Sequence, residues 1–469
     1  VRIALLLVVA GLPAYAANWI KLTTPDFTLY SDGNPKRARE LMIDFERVRR
    51  FFQERSGVPD RDPRPVRIVV FGSDGEYSHY RPSSAASAFY THDENRDYIA
   101  MGDVGSEHPE IAMHEYTHLS VEHSGVKLPL WLNEGWADVC STLRPKGKDK
   151  AMVGELIPGR VQTLQNSSWI PLAGLDQIGH DSPMYNESNR AGIFYAESWA
   201  LTHMLFLSPE YMKGFPQVVR SAASGKSLAQ TLETVYGKST AQVQSDLTQY
   251  MDRNRLYGAV FPINLRVEQE EPQTVRVDDF ESGLVLADML GAAHKYDEAA
   301  KAYAALAAKY PKRPELEAAL ASLDLHTGDV DGARAHFKAA IDDGSTDAPM
   351  CYRYAMLSMG ADLLRDRIAA LRRAIELKPD YTEAHLALGA SLLDAKDYAA
   401  SISELRNIHK ITEENAVWYF GTLALDQAAL GSLADAQKSA AEARKWAKSP
   451  EQIKRVDGLV EYVSHLTSK

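Results

Sequence analysis

The sequence predicts two architectures in one chain. One is an α+β unit, in which a small sheet is followed by a helical subdomain carrying a candidate metal site, and the other is an all-α repeat solenoid. Three observations predict this. Before residue 105, short runs of strand formers surround one amphipathic helical pattern. His114 and His118 lie four residues apart in an apolar run, which a turn interrupts and a second helical run resumes at 131–138. Beyond residue 280 one pattern returns every 34 residues.

The expected organisation is an export segment at 1–16, the sheet-bearing part at 17–105, the helical site-bearing part at 106–257, a linker at 258–279 and the repeats with a capping helix at 280–469. The export reading rests on Arg2, an apolar run, the breakers Gly11 and Pro13, and the cleavage pattern Ala14-Tyr15-Ala16. That run is too short to span a bilayer, which takes about twenty residues. No cysteine follows it to carry a lipid. The expectation is a soluble exported protein, periplasmic or extracellular, with no integral membrane segment in the mature chain. The 469 residues, 45% hydrophobic and 25% charged, are enough for two or three domains with real cores. A net charge of −11 argues against a nucleic-acid partner, which favours a basic face. Cys140 and Cys351 fall in different predicted domains and read as small buried hydrophobes; a cysteine zinc site is excluded by their number.

In the first part, 18–31 reads as one or two strands ending at Ser31-Asp32-Gly33-Asn34-Pro35. Leu41, Phe45, Val48, Phe51 and Phe52 predict a helix over about 36–56, and 66–71 predicts a strand. Phe89-Tyr90-Thr91 and Tyr98-Ile99-Ala100-Met101 read as a hairpin leading into a helix that starts near 106–109.

That helix carries His114-Glu115-Tyr116-Thr117-His118. Residues four apart share a helix face, so both imidazoles can meet one ion, while Glu115, a step further round, suits a general base rather than a ligand. Ser124-Gly125 and Pro129 turn the chain, and the next helix brings Glu134 back as a third ligand. Asp138, four residues on, can accept the outer N–H of a ligating histidine. With water in the fourth position the set suits Zn2+.

This pattern resembles the gluzincins, the thermolysin-like and aminopeptidase-like zinc metallopeptidases, whose third ligand is a Glu in Asn-Glu-Gly or a similar motif, here Asn133-Glu134-Gly135. Fifteen residues separate His118 from Glu134, somewhat fewer than in the best-known members. The metzincin pattern is not met, because it needs Gly at 121 and His at 124, where this chain has Val121 and Ser124, with His123 at another offset. The resemblance implies an α+β metallopeptidase domain with one Zn2+ per chain, held by His114, His118 and Glu134 with Asp138 behind them, and a peptide or protein substrate. It implies Glu115 as catalytic base. By the same resemblance, Tyr98, Ile99, Ala100 and Met101 form the strand along which substrate would add, with an ordinary core hairpin as the alternative. The aminopeptidase Gly-x-Met-Glu-Asn motif is missing there, which favours an endopeptidase.

From 141 to about 190 the chain is rich in Pro and Gly and reads as loops and short helices around the cleft. Phe194-Tyr195-Ala196-Glu197 then opens a helical pattern similar to the aminopeptidase segment whose tyrosine stabilises the oxyanion. The resemblance gives Tyr195 that role, with Tyr185 in reserve and simple packing as the alternative. Helices are expected to continue to about 257.

Tyr296, Val330, Leu364 and Tyr398 are 34 residues apart, Ala299, Ala333, Arg367 and Ser401 keep the same step, and Leu433 and Ala436 continue it after one inserted residue. Paired helices with small residues at their crossings resemble tetratricopeptide repeats, five units over about 280–447, with a cap from Ser449-Pro450-Glu451 to about 466. Such arrays usually hold a peptide or protein in their groove, so a protein partner is expected. The whole chain resembles bacterial exported proteins that join these parts. The functional expectation is a zinc-dependent peptidase with a partner-binding array; the alternative is a catalytically silent scaffold in which the array does the work.

Overall fold

The computed structural model describes residues 19–52, 66–82, 86–93, 96–102, 109–146, 150–179, 181–182, 188–252, 258–262 and 272–467. The predicted export segment and Tyr185 lie outside them. The chain divides into two units, one ending at Lys295 and the other beginning at Tyr296.

In the first unit, β1 (Ile20–Thr23) and β2 (Phe27–Ser31) form an antiparallel pair. The next element, α1 (Pro35–Phe51), starts at Asn34, whose side-chain oxygen accepts from the Lys36 and Arg37 N–H groups, with Pro35 in the first turn where no donor is needed. Ala38, Met42, Phe45, Val48 and Phe51 recur at three- and four-residue steps and are buried against the sheet. Strand β3 (Val66–Val70) runs parallel to β2, and α2 (Asp74–Tyr77) is a single turn capped by Ser73. The hairpin of β4 (Ala88–His92) and β5 (Asp97–Met101) joins through β5, which is parallel to β3.

Next come α3 (Pro109–His123) and α4 (Leu130–Ser141), joined through Ser124-Gly125, where Gly125 takes the left-handed φ of 67° that a glycine accepts at least cost. Tyr116 locks α3 in place. Its ring packs edge-on against Phe27, Phe45 and Phe52 at centroid distances of 5.6, 5.8 and 5.9 Å. Nearly all of α4 is buried, much of it against α7 as defined below.

The stretch expected as loops also forms a small sheet, in which β6 (Arg144–Pro145) pairs with β7 (Lys150–Val153) and β7 pairs with β8 (Ala259–Pro262). The short helices α5 (Pro158–Asn166) and α6 (Leu172–Leu175) precede α7 (Ser188–Leu207). After it, α8 (Phe215–Ala223), α9 (Leu228–Tyr236) and α10 (Thr240–Met251) close the helical part, the last two starting at capping boxes of Ser227 with Gln230 and Ser239 with Gln242.

The linker expected at 258–279 needs correcting. It supplies β8 and also β9 (Gln273–Arg276), which pairs with β1 and completes a six-stranded sheet of order β4-β5-β3-β2-β1-β9. The following helix α11 (Asp279–Ala292), expected to open the first repeat, belongs to the first unit. Its Glu281 meets Lys21 at 2.7 Å and the Tyr30 hydroxyl at 2.9 Å, and its Asp288 meets Arg67 at 2.9 Å. These polar contacts with sheet residues could not be foreseen from local periodicity, because their partners are far apart in sequence.

The second unit is helical among the described residues: α12 (Tyr296–Lys309), α13 (Pro314–Thr327), α14 (Val330–Asp342), α15 (Ala348–Leu357), α16 (Leu364–Leu377), α17 (Thr382–Asp394), α18 (Tyr398–Leu405), α19 (Glu413–Ala429), α20 (Leu433–Trp446) and α21 (Pro450–Thr467). Each repeat marker, Tyr296, Val330, Leu364, Tyr398 and Leu433, is the first residue of a helix. The small-residue column is buried, and Arg367 in it is buried too. Its guanidinium reaches Ser391 Oγ at 3.0 Å, the Met359 carbonyl at 3.2 Å and Asp394 at 2.5 Å, so its charge is paired and its donors are used. Glu317 pairs with His336 at 2.6 Å, and two repeats later the same positions hold the inverse pair, His385 with Glu404 at 2.5 Å. Cys140 and Cys351 are each buried and free. No helix among the described residues is long and apolar enough to cross a membrane.

Glu197, within α7, is fully buried; Oε1 accepts the Ile170 N–H at 2.5 Å, while Oε2 has no hydrogen-bond partner among the described residues. Burial, against that single hydrogen bond, pushes its pKa from 4.5 to about 8. Between those values the unfolded chain is ionised and the folded one protonated, so this group's contribution to stability falls as pH rises from about 4.5 to about 8. Replacing Glu197→Gln is expected to remove that slope. Urea denaturation at pH 8 should find the variant more stable than wild type by about 1 to 3 kcal/mol, with the difference vanishing near pH 4.5.

Candidate metal centre

Helix α3 turns by about 100° per residue, so with Tyr116 locked into the core, His114 and His118, two residues to either side, lie nearly opposite it and face α4. There His114 Nε2 and His118 Nε2 approach to 3.1 Å, and Glu134 Oε2 lies 3.4 Å from the first and 3.5 Å from the second. These three form the convergent donor set among the described residues, and Glu115 is not part of it.

The donor set fits zinc. His114 Nδ1 donates to Asp138 Oδ1 at 3.0 Å, so Nε2 is the atom aimed at Glu134, and once it is deprotonated its lone pair and the carboxylate oxygen point at the same spot. Ligands about 2.0–2.1 Å from a tetrahedral zinc are separated from one another by roughly 3.3 Å, close to all three observed distances. Electrostatics point the same way. Burial works against charge on His114, but hydrogen bonds to Asp138 and Glu134 outweigh it and raise the pKa to about 10. Glu134 and Asp138 are likewise held below the usual carboxylate range, because contacts with the histidines, and Arg160 for Asp138, outweigh their burial. The pocket favours positive charge.

Several neighbours lay beyond the reach of sequence reasoning. Glu115 Oε2 accepts the backbone N–H of Tyr90, in β4, at 2.9 Å. The Tyr90 hydroxyl donates to Asp97 at 2.6 Å, and Asp97 lies 2.7 Å from His123 Nε2, so the histidine at the wrong offset for a metal serves a buried hydrogen bond. Arg160, in α5, donates to both oxygens of Asp138, and its guanidinium lies 5.0 Å from the ring centre of Tyr195. That contact ties Tyr195 to the site through Arg160. His118 Nδ1 and Asn133 Oδ1 are buried without a hydrogen-bond partner among the described residues.

The substrate strand expected at Tyr98, Ile99, Ala100 and Met101 is corrected by the sheet. As part of β5, these residues are hydrogen-bonded to β3 on one side and β4 on the other, and all are buried, so no backbone edge is left for an added chain. On this side the edge is β4.

Fold and site together define an α+β unit with a His-His-Glu donor set, followed by a helical repeat array. Family models for the tetratricopeptide repeat match residues 291–353 and 365–408, and the C-terminal region carries tetratricopeptide repeats. No curated protein matches the chain. Among solved structures it is similar to YrrB, a TPR protein described as having an unusual peptide-binding site, at 14% identity over 39% of this chain and 98% of that one, with a TM-score of 0.35. It is also similar to MamA, at 20% identity over 36% and 91% of the two chains with a TM-score of 0.32, and to a thermophilic TPR protein of Thermus thermophilus, at 19% identity over 39% and 98% with a TM-score of 0.26.

Gly135 follows Glu134. A Cβ placed there would lie 2.1 Å from the Ser198 carbonyl oxygen and 2.3 Å from Thr202 Oγ1, both on α7. Gly135→Ala should therefore push α4 away from α7 and carry Glu134 with it. The expected result is a stability loss of about 1 to 3 kcal/mol in thermal melts, together with loss of stoichiometric zinc by atomic absorption.

Proposed function

We propose that this chain is an exported zinc-dependent peptidase, with endopeptidase action favoured, whose repeat array holds a protein partner or the substrate protein. The observation that carries the reading is the convergence of His114 Nε2, His118 Nε2 and Glu134 Oε2 within 4.8 Å of one another, beside a carboxylate that is not part of the set. Export rests on the leading segment at 1–16. Zinc bound there would bring the pKa of water close to neutrality and polarise a substrate carbonyl.

The chain's own residues do the rest. Asp138 holds the His114 proton on Nδ1, keeping Nε2 available as a donor atom. The Tyr90 N–H holds Glu115 by Oε2, leaving Oε1 to take a proton from the attacking water and pass it to the leaving amine. The Tyr195 hydroxyl is the proposed donor to the oxyanion on the substrate carbonyl. An extended peptide would add along β4, the sheet edge nearest Glu115.

The comparisons favour a second reading, because the family matches at 291–353 and 365–408 fall almost entirely within the array. In that reading the array is the working part, binding protein partners, and the first unit is a silent platform. Two experiments separate them. Under the peptidase reading, His118→Ala loses the single zinc and cleavage of a broad peptide library, whereas Glu115→Gln keeps the zinc and loses at least about a hundredfold in rate. Under the scaffold reading, Glu115→Gln leaves every cellular role intact and removal of 296–469 abolishes it.

A further inference from the structure

We propose that Arg160 is a positioning residue for the metal site, setting zinc affinity and ligand geometry through Asp138. The inference rests on reading His114, His118 and Glu134 as the zinc ligands.

Arg160 is the third residue of α5, a helix in the Pro- and Gly-rich stretch to which nothing assigns a role in the site. Its side chain crosses to α4. Nε donates to Asp138 Oδ2 at 2.7 Å and a terminal nitrogen donates to Oδ1 at 3.2 Å. Oδ1 also receives the His114 Nδ1 proton at 3.0 Å. Both carboxylate oxygens are therefore occupied, and the planar fork fixes the plane of the acid that orients the imidazole. With Asp138 only 4% exposed, water has little access to replace that fork.

The two histidines differ in this respect. His118 Nδ1 has no partner among the described residues, so the outer support of the site falls on the His114 side, and Arg160 is its last member. On its own far side the guanidinium stacks near Tyr195, with 5.0 Å from its central carbon to the ring centre. One planar cation thus serves α4 and α7 together. A lysine keeps the charge but offers neither the fork nor the flat face. Without Arg160 the buried Asp138 loses its counter-charge and the constraint on its plane, and the His114 ring loses a fixed direction.

The test uses the full chain, loaded with Zn2+ or with Co2+ as a spectroscopic probe, in wild type, Arg160→Met and Arg160→Lys. Zinc affinity is measured by competition with a chromophoric chelator, ligand geometry by the visible absorption of the cobalt form, and folding by melting of the metal-free proteins. For Arg160→Met, zinc affinity should fall about 10- to 100-fold, with an altered cobalt spectrum and a lowered metal-free melting temperature, because Asp138 is left buried without its counter-charge. Arg160→Lys should recover part of the affinity. Wild-type affinity and spectrum in Arg160→Met would overturn the proposal. So would an affinity loss that comes with an unchanged spectrum, which is a purely structural effect. Absence of zinc binding by the wild-type chain is a separate result and removes the metal-site reading itself.

Discussion

The seating of Tyr116 is the constraint on which the rest of the first unit depends. Its ring is held among Phe27, Phe45 and Phe52, drawn from a strand, a helix and that helix's C-cap. A helix locked at one residue has no rotational freedom left, so the residues two before and two after must face the other way. The imidazoles reach α4 for that reason. The sheet is in this sense the mount of the site: its strands supply no donor atom, but they decide where α3 points.

The second helix is placed as tightly. Gly135 lets α4 lie against the α7 backbone at a distance that no side chain would permit, and Glu134 precedes it, so the helix contact and the position of Glu134 form one geometric fact. Electrostatics then refine what packing has set. Four charged or chargeable groups, His114, Glu134, Asp138 and Arg160, are linked in a chain in which each is a neighbour's partner. Buried charges are tolerated when paired and hydrogen-bonded, and at one end of this series the Nε2 atoms of His114 and His118 face Glu134 Oε2. Glu115 stands apart from it, held by the Tyr90 backbone and outside the convergent donor set.

The second unit follows a different rule. Each repeat buries its small-residue column against a neighbour, and departures from the pattern are compensated locally. Arg367 replaces an alanine but finds three oxygen acceptors in two neighbouring segments. The inverted pairs Glu317 with His336 and His385 with Glu404 keep one acid and one imidazole across equivalent helices, so what the repeat preserves is the pairing and not the residue.

The sequence by itself determined the elements whose cause is local. Helical periodicity marked α1, α3, α4 and the array, and repeat markers fell on helix starts because a repeat is one stacking unit with one register. The convergence of His114, His118 and Glu134, with Asp138 behind, was legible for the same reason, since side chains on two successive helices are brought together by turn geometry. Only the tertiary structure decided what depends on partners distant in the chain. It made β5 an interior strand and β4 the edge, drew residues 273–276 into the sheet beside β1, kept α11 with the first unit, and brought Arg160 and Tyr90 to the site. Strand order and salt-bridge partnership are fixed by long-range packing, and no local pattern carries that information.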